Sequence, residues 1–580
     1  MSSENELSEA IVAKGEEIRV LKAAKPPSLK EDLVPLVAQL NTLKLSFKEA
    51  TGNDFGGPKL EEKKKEKAAG PDPGQLLKQQ KKAERLAART AGEQQQKPVE
   101  SEEFAELYGD ASLIQSNEMT EKAYRDICDL KETLVGELVW IRGRIGNTRA
   151  VGKGVFILLR QDINTIQTLM FQGEKVPKGM IKYASSLSIE SIIDIRAKVT
   201  KAATPVQSAT MKNLELEIVQ IHLISRAQEL PFYVEDAGRN EDEAMAQGLP
   251  LVSADTLLNY RWIDTRTPAN QAIFRIQSGV CQLFREFLIS KKFIEIHTPK
   301  LIGGASEGGS NVFTLKYFDS PACLAQSPQL YKQMAAACGG FGRVFEIGPV
   351  FRAENSNTHR HLCEFTGLDF EMSIYEHYYE ALTLMADLFA FIFDGITERY
   401  QQELGIISLQ YPFEPIKFLR PALRITFKEG IDLLRASGID APYDEDISTP
   451  HEKALGKIVR EKYETDFYIM DKYPKSVRPF YTMPDPEDPS LSNSYDLFIR
   501  GEEIVSGAQR IHDVTLLTKR ALECGIPVSS IQSYVDAFKH GALPHAGGGI
   551  GLERVVMLYL GLKNIRKTSM FPRDPCRLSP

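Results

Sequence analysis

The sequence predicts an α+β chain built in series: a helical hairpin, a small all-β barrel, and a larger domain of antiparallel strands and helices. Three observations carry that prediction. Apolar residues recur at helical spacing from Leu7 to Phe47, five β-prone runs lie between Leu134 and Ser225, and Val344 to Ser373 reads as two antiparallel strands around a long polar loop. A chain of 580 residues has room for about two to four domains.

The net charge of −7 excludes a uniformly basic nucleic-acid binder, so any RNA contact must come from local patches. Seven cysteines are scattered without a CxxC pair, which points to reduced thiols and no zinc site. The opening MSSENELSEA is acidic and lacks an apolar core, and no run approaches the ~18 apolar residues of a membrane span. A cytosolic protein without membrane attachment is expected.

In the hairpin, Leu7, Ile11, Ile18 and Leu21, then Leu33, Leu36, Val37, Leu40 and Leu43, flank Lys25-Pro26-Pro27-Ser28, which gives two amphipathic helices and a turn. Lys59 to Arg89 holds ten basic residues against five acidic ones. Such a run is either a solvated face or an electrostatic grip on an RNA backbone. The runs 134–144, 155–160, 166–171, 191–200 and 214–225, with the helix-like GMIKYASSL between the third and fourth, suit an OB-fold, whose open face binds oligonucleotides, although a generic β-barrel gives the same periodicity.

In the larger domain, Arg352 at a strand end, Glu354 two residues on, and Arg360 with His361 suit a polyanion that carries a cation or amine. An ordinary hairpin with a charged tip fits the same composition. Gln329 and Lys332 lie three apart on one face of a helix entered through Pro328. Asp496, Glu503 and Arg510 follow at seven-residue intervals, and two carboxylates near a triphosphate are natural Mg²⁺ ligands. GGGIGLERVVMLYLG reads as a glycine-rich turn running into an apolar helix, and it lacks the GK[ST] of a P-loop ATPase.

FRAENSNTHRHLCEF and GGGIGLERVVMLYLGLKNIRKTSMFPRDP resemble the second and third signature motifs of class II aminoacyl-tRNA synthetases, in the aspartate-specific branch of the aspartate/asparagine/lysine subclass, and the likeness extends from Leu130 to Pro580. GEEIRVLKAAK and LVAQLNTLKLSFKEATGNDF resemble the WHEP module appended to several eukaryotic synthetases. The resemblance implies a WHEP-like helical hairpin at 1–58, a basic linker at 59–119, an OB-fold anticodon domain at 120–228, a hinge at 229–260, and at 261–580 a class II antiparallel sheet flanked by helices. It implies ATP, Mg²⁺, L-aspartate and tRNA(Asp) as reactants, and a homodimer built on the helix 274–289 with the strand 293–296. The N-terminal arm would contact tRNA or protein.

Residue by residue, the resemblance places Arg352, Glu354 and Arg554 at the reacting phosphates, and Arg360, His361, Leu362, Phe365, Glu503, Ser506 and Gly551 around ATP. Ser306, Glu307, Gln329, Lys332, Asp369 and Arg510 would hold aspartate, with Glu307 in a mobile loop and Asp369 on the α-ammonium. Asp496 and Glu503 would hold the metal. Phe156 would stack on an anticodon base while Gln167 and Glu215 read base edges. Lys332 and Arg510 would bracket one substrate carboxylate, and an amide there would leave a cation unpaired. Three other readings are an asparagine-specific sister enzyme, an asparagine synthetase acting on free aspartate, and a catalytically silent paralogue that serves as an RNA-binding or scaffolding module. The helices expected at 375–470 carry no assigned chemistry.

Overall fold

The computed structural model describes residues 104, 106–117, 119–304 and 312–579, with scattered positions between 10 and 47. The chain divides into two compact units, Met1–Pro98 and Val99–Pro580. In the first, residues 10–14 are helical, and Ile11 and Ile18, two of the positions at helical spacing, are buried, as is Phe47. The expected turn at 25–28 and the basic run 59–89 lie outside the described residues.

The second unit opens with the barrel. After the short β1 (Tyr108–Asp110) come β2 (Leu138–Val151), β3 (Gly154–Gln161), β4 (Asn164–Phe171), helix α1 (Lys178–Ser186), β5 (Ile192–Lys201) and β6 (Leu214–Ser225). The strands run in the order β6-β4-β3-β2-β5, and β5 pairs back onto β6, closing the sheet. Period-two alternation sorts the side chains. Val155, Ile157 and Leu159 of β3 fill the barrel together with Ile141, Ile166, Ile195 and Leu216. Phe156, Leu158 and Arg160 therefore project outward.

Helix α2 (Pro268–Ser290) starts the larger part; the Thr267 hydroxyl accepts a hydrogen bond from the Asn270 amide, and Pro268 occupies the first turn, where its missing N–H costs nothing. Small strands β7 (Ile294–Glu295), β8 (Leu301–Ile302), β9 (Thr314–Tyr317) and β10 (Ser320–Leu324) precede helix α3 (Gln329–Gln333). There follow β11 (Arg343–Phe351), β12 (Glu364–Ser373), α4 (Tyr379–Arg399), β13 (Leu423–Thr426), α5 (Thr449–Tyr463), β14 (Phe467–Asp471), β15 (Ser494–Ile499), β16 (Glu502–Gln509), α6 (Val514–Glu523), α7 (Gln532–Phe538), β17 (His545–Gly551) and α8 (Leu552–Tyr559).

One eight-stranded sheet runs β13-β14-β15-β16-β17-β12-β11-β7. It is antiparallel except at the two outer pairs, β13 with β14 and β7 with β11. Phe284 and Leu288 of α2, Leu388 and Phe393 of α4, and Val556 of α8 pack with Phe345, Leu368 and Phe370 of the sheet in one core. The opposite face is left for chemistry.

Two expectations need correction. The stretch 375–470 is not purely helical, because β13 and β14 lie in it and complete the sheet. Every residue of β14 is buried, so no alternation marks it as a strand. The run GGGIG is a strand rather than a turn. It pairs with both β12 and β16, and a Cβ at Gly547 would lie 2.2 Å from the Phe370 carbonyl oxygen and 2.4 Å from Glu371 Oε2. Glycine is what lets charged side chains from β12 lie across this strand.

Candidate active site

The chemistry-bearing face of the sheet holds a cavity of about 330 Å³. Period two on β12 builds its floor: Leu368, Phe370 and Met372 point to the helices, while Phe365, Gly367, Asp369 and Glu371 point the other way. Lys332 rises beneath them from α3. Its Nζ donates to Asp369 Oδ1 at 2.8 Å and to the Gly548 carbonyl at 3.0 Å, and stands 3.6 Å from Glu371 Oε2. Arg510, just past β16, donates from Nε to Glu371 Oε1 at 3.0 Å and from Nη2 to Oε2 at 3.3 Å.

Lys332, Asp369, Glu371 and Arg510 are all buried. The expectation of two bare cations awaiting one carboxylate is therefore incomplete, because Glu371 and Asp369 already balance them. Donors beside this floor nonetheless remain without an acceptor among the described residues. Arg510 Nη1, in the cavity wall, has no hydrogen-bond acceptor, and neither does the buried Nε2 of Gln329. A small acidic or amide-bearing ligand would satisfy both.

The other end of the cavity is cationic. Arg352 leaves β11 with its guanidinium 5.4 Å from the centre of the Phe365 ring. Arg554, in the first turn of α8, donates from Nη1 to the Glu503 carbonyl at 3.0 Å. His361 lies 2.6 Å from the Thr358 hydroxyl through Nδ1, and burial with the nearby Arg554 charge lowers its pKa, so it is neutral at pH 7. Arg360 is held by Glu452 of α5, Nη1 to Oε2 at 2.8 Å. Glu354, Leu362, Ser506 and Gly551 complete the lining.

Asp496 and Glu503 sit on the β15–β16 hairpin, where Asp496 is the cross-strand partner of Ser506. Arg478 braces this pair, with Nη2 on Asp496 Oδ2 at 2.6 Å and Nη1 on the Ser506 hydroxyl at 3.0 Å. Asp496 Oδ1 is buried with no partner among the described residues. Burial, and then the Asp496 charge, pushes the Glu503 carboxyl up to about 7. An orphaned carboxylate oxygen beside a carboxyl reluctant to ionise fits a hard divalent cation.

The fold thus gathers Gln329, Arg352, Glu354, Arg360, His361, Leu362, Phe365, Asp369, Glu503, Ser506, Arg510, Gly551 and Arg554 around one cavity, with Lys332 below it. Ser306 and Glu307 lie outside the described residues. Phe156, Gln167 and Glu215 share the outer face of the barrel instead, where Gln167 donates to Glu215 and Arg149 lies over the Phe156 ring. The sequence reading missed Glu371, Arg478 and Glu452. Only Glu371 had a local signal, since it stands two residues from Asp369 on the same strand face.

A model of the class II tRNA synthetases (D, K and N) matches residues 253–575, and one of the WHEP-TRS domain matches residues 7–60. The human cytoplasmic aspartate–tRNA ligase is 52% identical over 85% of this chain and 100% of its own length. This chain belongs to the class II aspartate–tRNA ligase family. The Arabidopsis thaliana cytoplasmic aspartate–tRNA ligase 1 is 51% identical over 83% of this chain and 91% of its own. Among solved structures, the aspartyl-tRNA synthetase of Entamoeba histolytica superposes with a TM-score of 0.76 at 46% identity, covering 82% of this chain and 97% of that one. The asparaginyl-tRNA synthetase of Pyrococcus horikoshii complexed with asparaginyl-adenylate gives 0.69 at 30%, covering 80% and 100%. Class II synthetases use ATP and divalent metal ions generally.

Proposed function

We propose that this cavity activates L-aspartate with ATP and transfers it to tRNA(Asp) in the cytoplasm, the compartment named for the relatives it matches. The observation that carries the amino-acid assignment is the convergence of Lys332 and Arg510 on Glu371, which leaves Arg510 Nη1 facing the cavity. The substrate's side-chain carboxylate takes that donor and the Lys332 field, its α-ammonium takes Asp369, and Gln329 Nε2 fixes its orientation. Phe365 carries the adenine ring, with Arg554 opposite.

The α-carboxylate then attacks the α-phosphorus of ATP. A carboxylate-oxygen–phosphorus bond forms as the bond to the bridging oxygen breaks, and pyrophosphate leaves. Arg352 neutralises charge on the α-phosphate, and Arg554 with Arg360 neutralises the departing end. Asp496 and Glu503 would hold Mg²⁺, which supplies charge neutralisation of the phosphates. In the second step a terminal ribose hydroxyl of the tRNA attacks the activated carbonyl and AMP leaves. No protein nucleophile is needed.

The roles of Phe156, Gln167 and Glu215 in reading the anticodon, of Ser306 and Glu307 in covering aspartate, and of the basic arm in gripping tRNA extend the same proposal. So does a homodimer, for which the edge strand β7 offers the exposed Ile294, with Ile289 and Leu301 nearby. Aspartate-dependent ATP–pyrophosphate exchange, with asparagine as control, tests the core of it. Exchange with aspartate alone, lost in Lys332→Ala, is expected. Exchange with asparagine would move the reading to the sister specificity.

A further inference from the structure

A buried charge cluster outside the cavity lies where the barrel meets the catalytic part. Glu190 precedes β5 in a turn with φ of 70°, a left-handed backbone that a glutamate adopts only when its surroundings hold it there. Its side chain is 1% exposed. Arg160 of β3 donates from Nη2 to both of its carboxylate oxygens at 2.7 Å. Arg266, from the segment leading into α2, donates from Nη1 to Oε2 at 2.9 Å. Arg144 of β2 donates to the Glu190 carbonyl at 3.2 Å. One carboxylate therefore joins the two parts, and Arg160 lies on the same strand and the same outward face as Phe156.

The line of contacts continues toward the cavity. Five residues before Arg266, the buried Arg261 donates to the carbonyls of Met570 at 3.0 Å and Ser569 at 2.9 Å. In the segment that ends there, Arg566 donates from Nη1 to the Thr358 carbonyl at 2.9 Å and from Nη2 to Asn357 Oδ1 at 2.6 Å. Thr358 and Asn357 belong to the loop that carries Glu354, Arg360 and His361. Side-chain contacts, joined by the short backbone stretch 261–266, thus link the strand of Phe156 to the loop that carries Arg360.

We infer that Glu190 and Arg266 are positioning residues that couple occupancy of the barrel's outer face to the ATP-side loop, so that a correct anticodon speeds transfer to the tRNA. This rests on the aspartate-charging reading above. Nothing in the pair touches a reactant; its effect is on the angle at which the barrel presents bound RNA and on the seating of residues 261–266 against the C-terminal segment.

The test uses the full chain with Arg266→Met, which cuts the joint but leaves the Glu190–Arg160 pair inside the barrel, and with Glu190→Gln as a second variant. Charging is measured with the cognate transcript and with one altered only in its anticodon, beside aspartate-dependent pyrophosphate exchange. The expected result is that kcat/KM for the cognate transcript falls about ten-fold while the altered transcript and the exchange reaction stay within about two-fold, so anticodon discrimination shrinks. Equal losses in all three measurements, or unchanged discrimination in both variants, would overturn the coupling. Absence of exchange in the unaltered protein would instead remove the functional reading on which it rests.

Discussion

In the proposed metal role Glu503 has to be two things at once, a largely protonated carboxyl without the cation and an ionised ligand with it. Its carboxyl, pushed up to about 7 by burial and by Asp496, is largely protonated below neutrality, so a cation must displace that proton. Mg²⁺ affinity should therefore rise with pH between 6 and 8, and Glu503→Gln should flatten the rise; titration calorimetry at several pH values reads both. The same shift bears on stability. A carboxyl with a raised folded-state pKa contributes stability that is full below its unfolded value near 4.5 and is lost as pH passes through about 7. Glu553, pushed up to about 7 by burial while it accepts the Thr366 amide, acts in the same direction. Metal-free protein should thus melt at a lower temperature at pH 8 than at pH 6.5, and added Mg²⁺ should recover part of the loss. At this scale the sequence was readable wherever a residue carries a motif, as Lys332, Arg352 and Arg554 do. It was silent on counter-ions: Arg478 and Glu452 come from segments whose local pattern says nothing about the pocket they reach.

Helix α5 shows how one element serves the site from outside it. Its Gly456 lies against the turn of the β15–β16 hairpin so closely that a Cβ would stand 2.2 Å from the Gly501 Cα. One turn earlier, Glu452 holds Arg360 and Lys453 Nζ stands 3.2 Å from Glu502 Oε1. Gly456→Ala should cost about 1–3 kcal/mol of stability, because backbone rather than a flexible side chain must move. Urea unfolding measures that cost, and the KM for ATP should rise with it as Glu452 and Arg360 lose register. The helical pattern of α5 was plain in the sequence. Its neighbour β14 was not, because a strand buried on both faces shows five consecutive apolar or paired residues with no period to read.

Across the whole molecule, the proposed function divides recognition on the barrel from reaction on the sheet. If Phe156 carries an anticodon base as proposed, Phe156→Ala removes a stacking face worth about 1–3 kcal/mol per base. It should raise the KM for tRNA while leaving pyrophosphate exchange unchanged, a separation that charging and exchange assays on the same preparation resolve. The order of five strands and one helix was enough to foresee the barrel, since each strand carries its own alternation. The eight-stranded sheet was only half foreseen, because strands far apart in the sequence, such as β12 and β17, pair with no local mark. The glycine strand β17 is nearly closed to substitution. With no side chains at 547–549, it offers natural variation nothing to change without a collision against the Phe370 carbonyl, the Met385 methyl or the Asp369 carboxylate. A change of amino-acid preference in this lineage would have to be written on β12, α3 and the end of β16, while the strand between them stays blank.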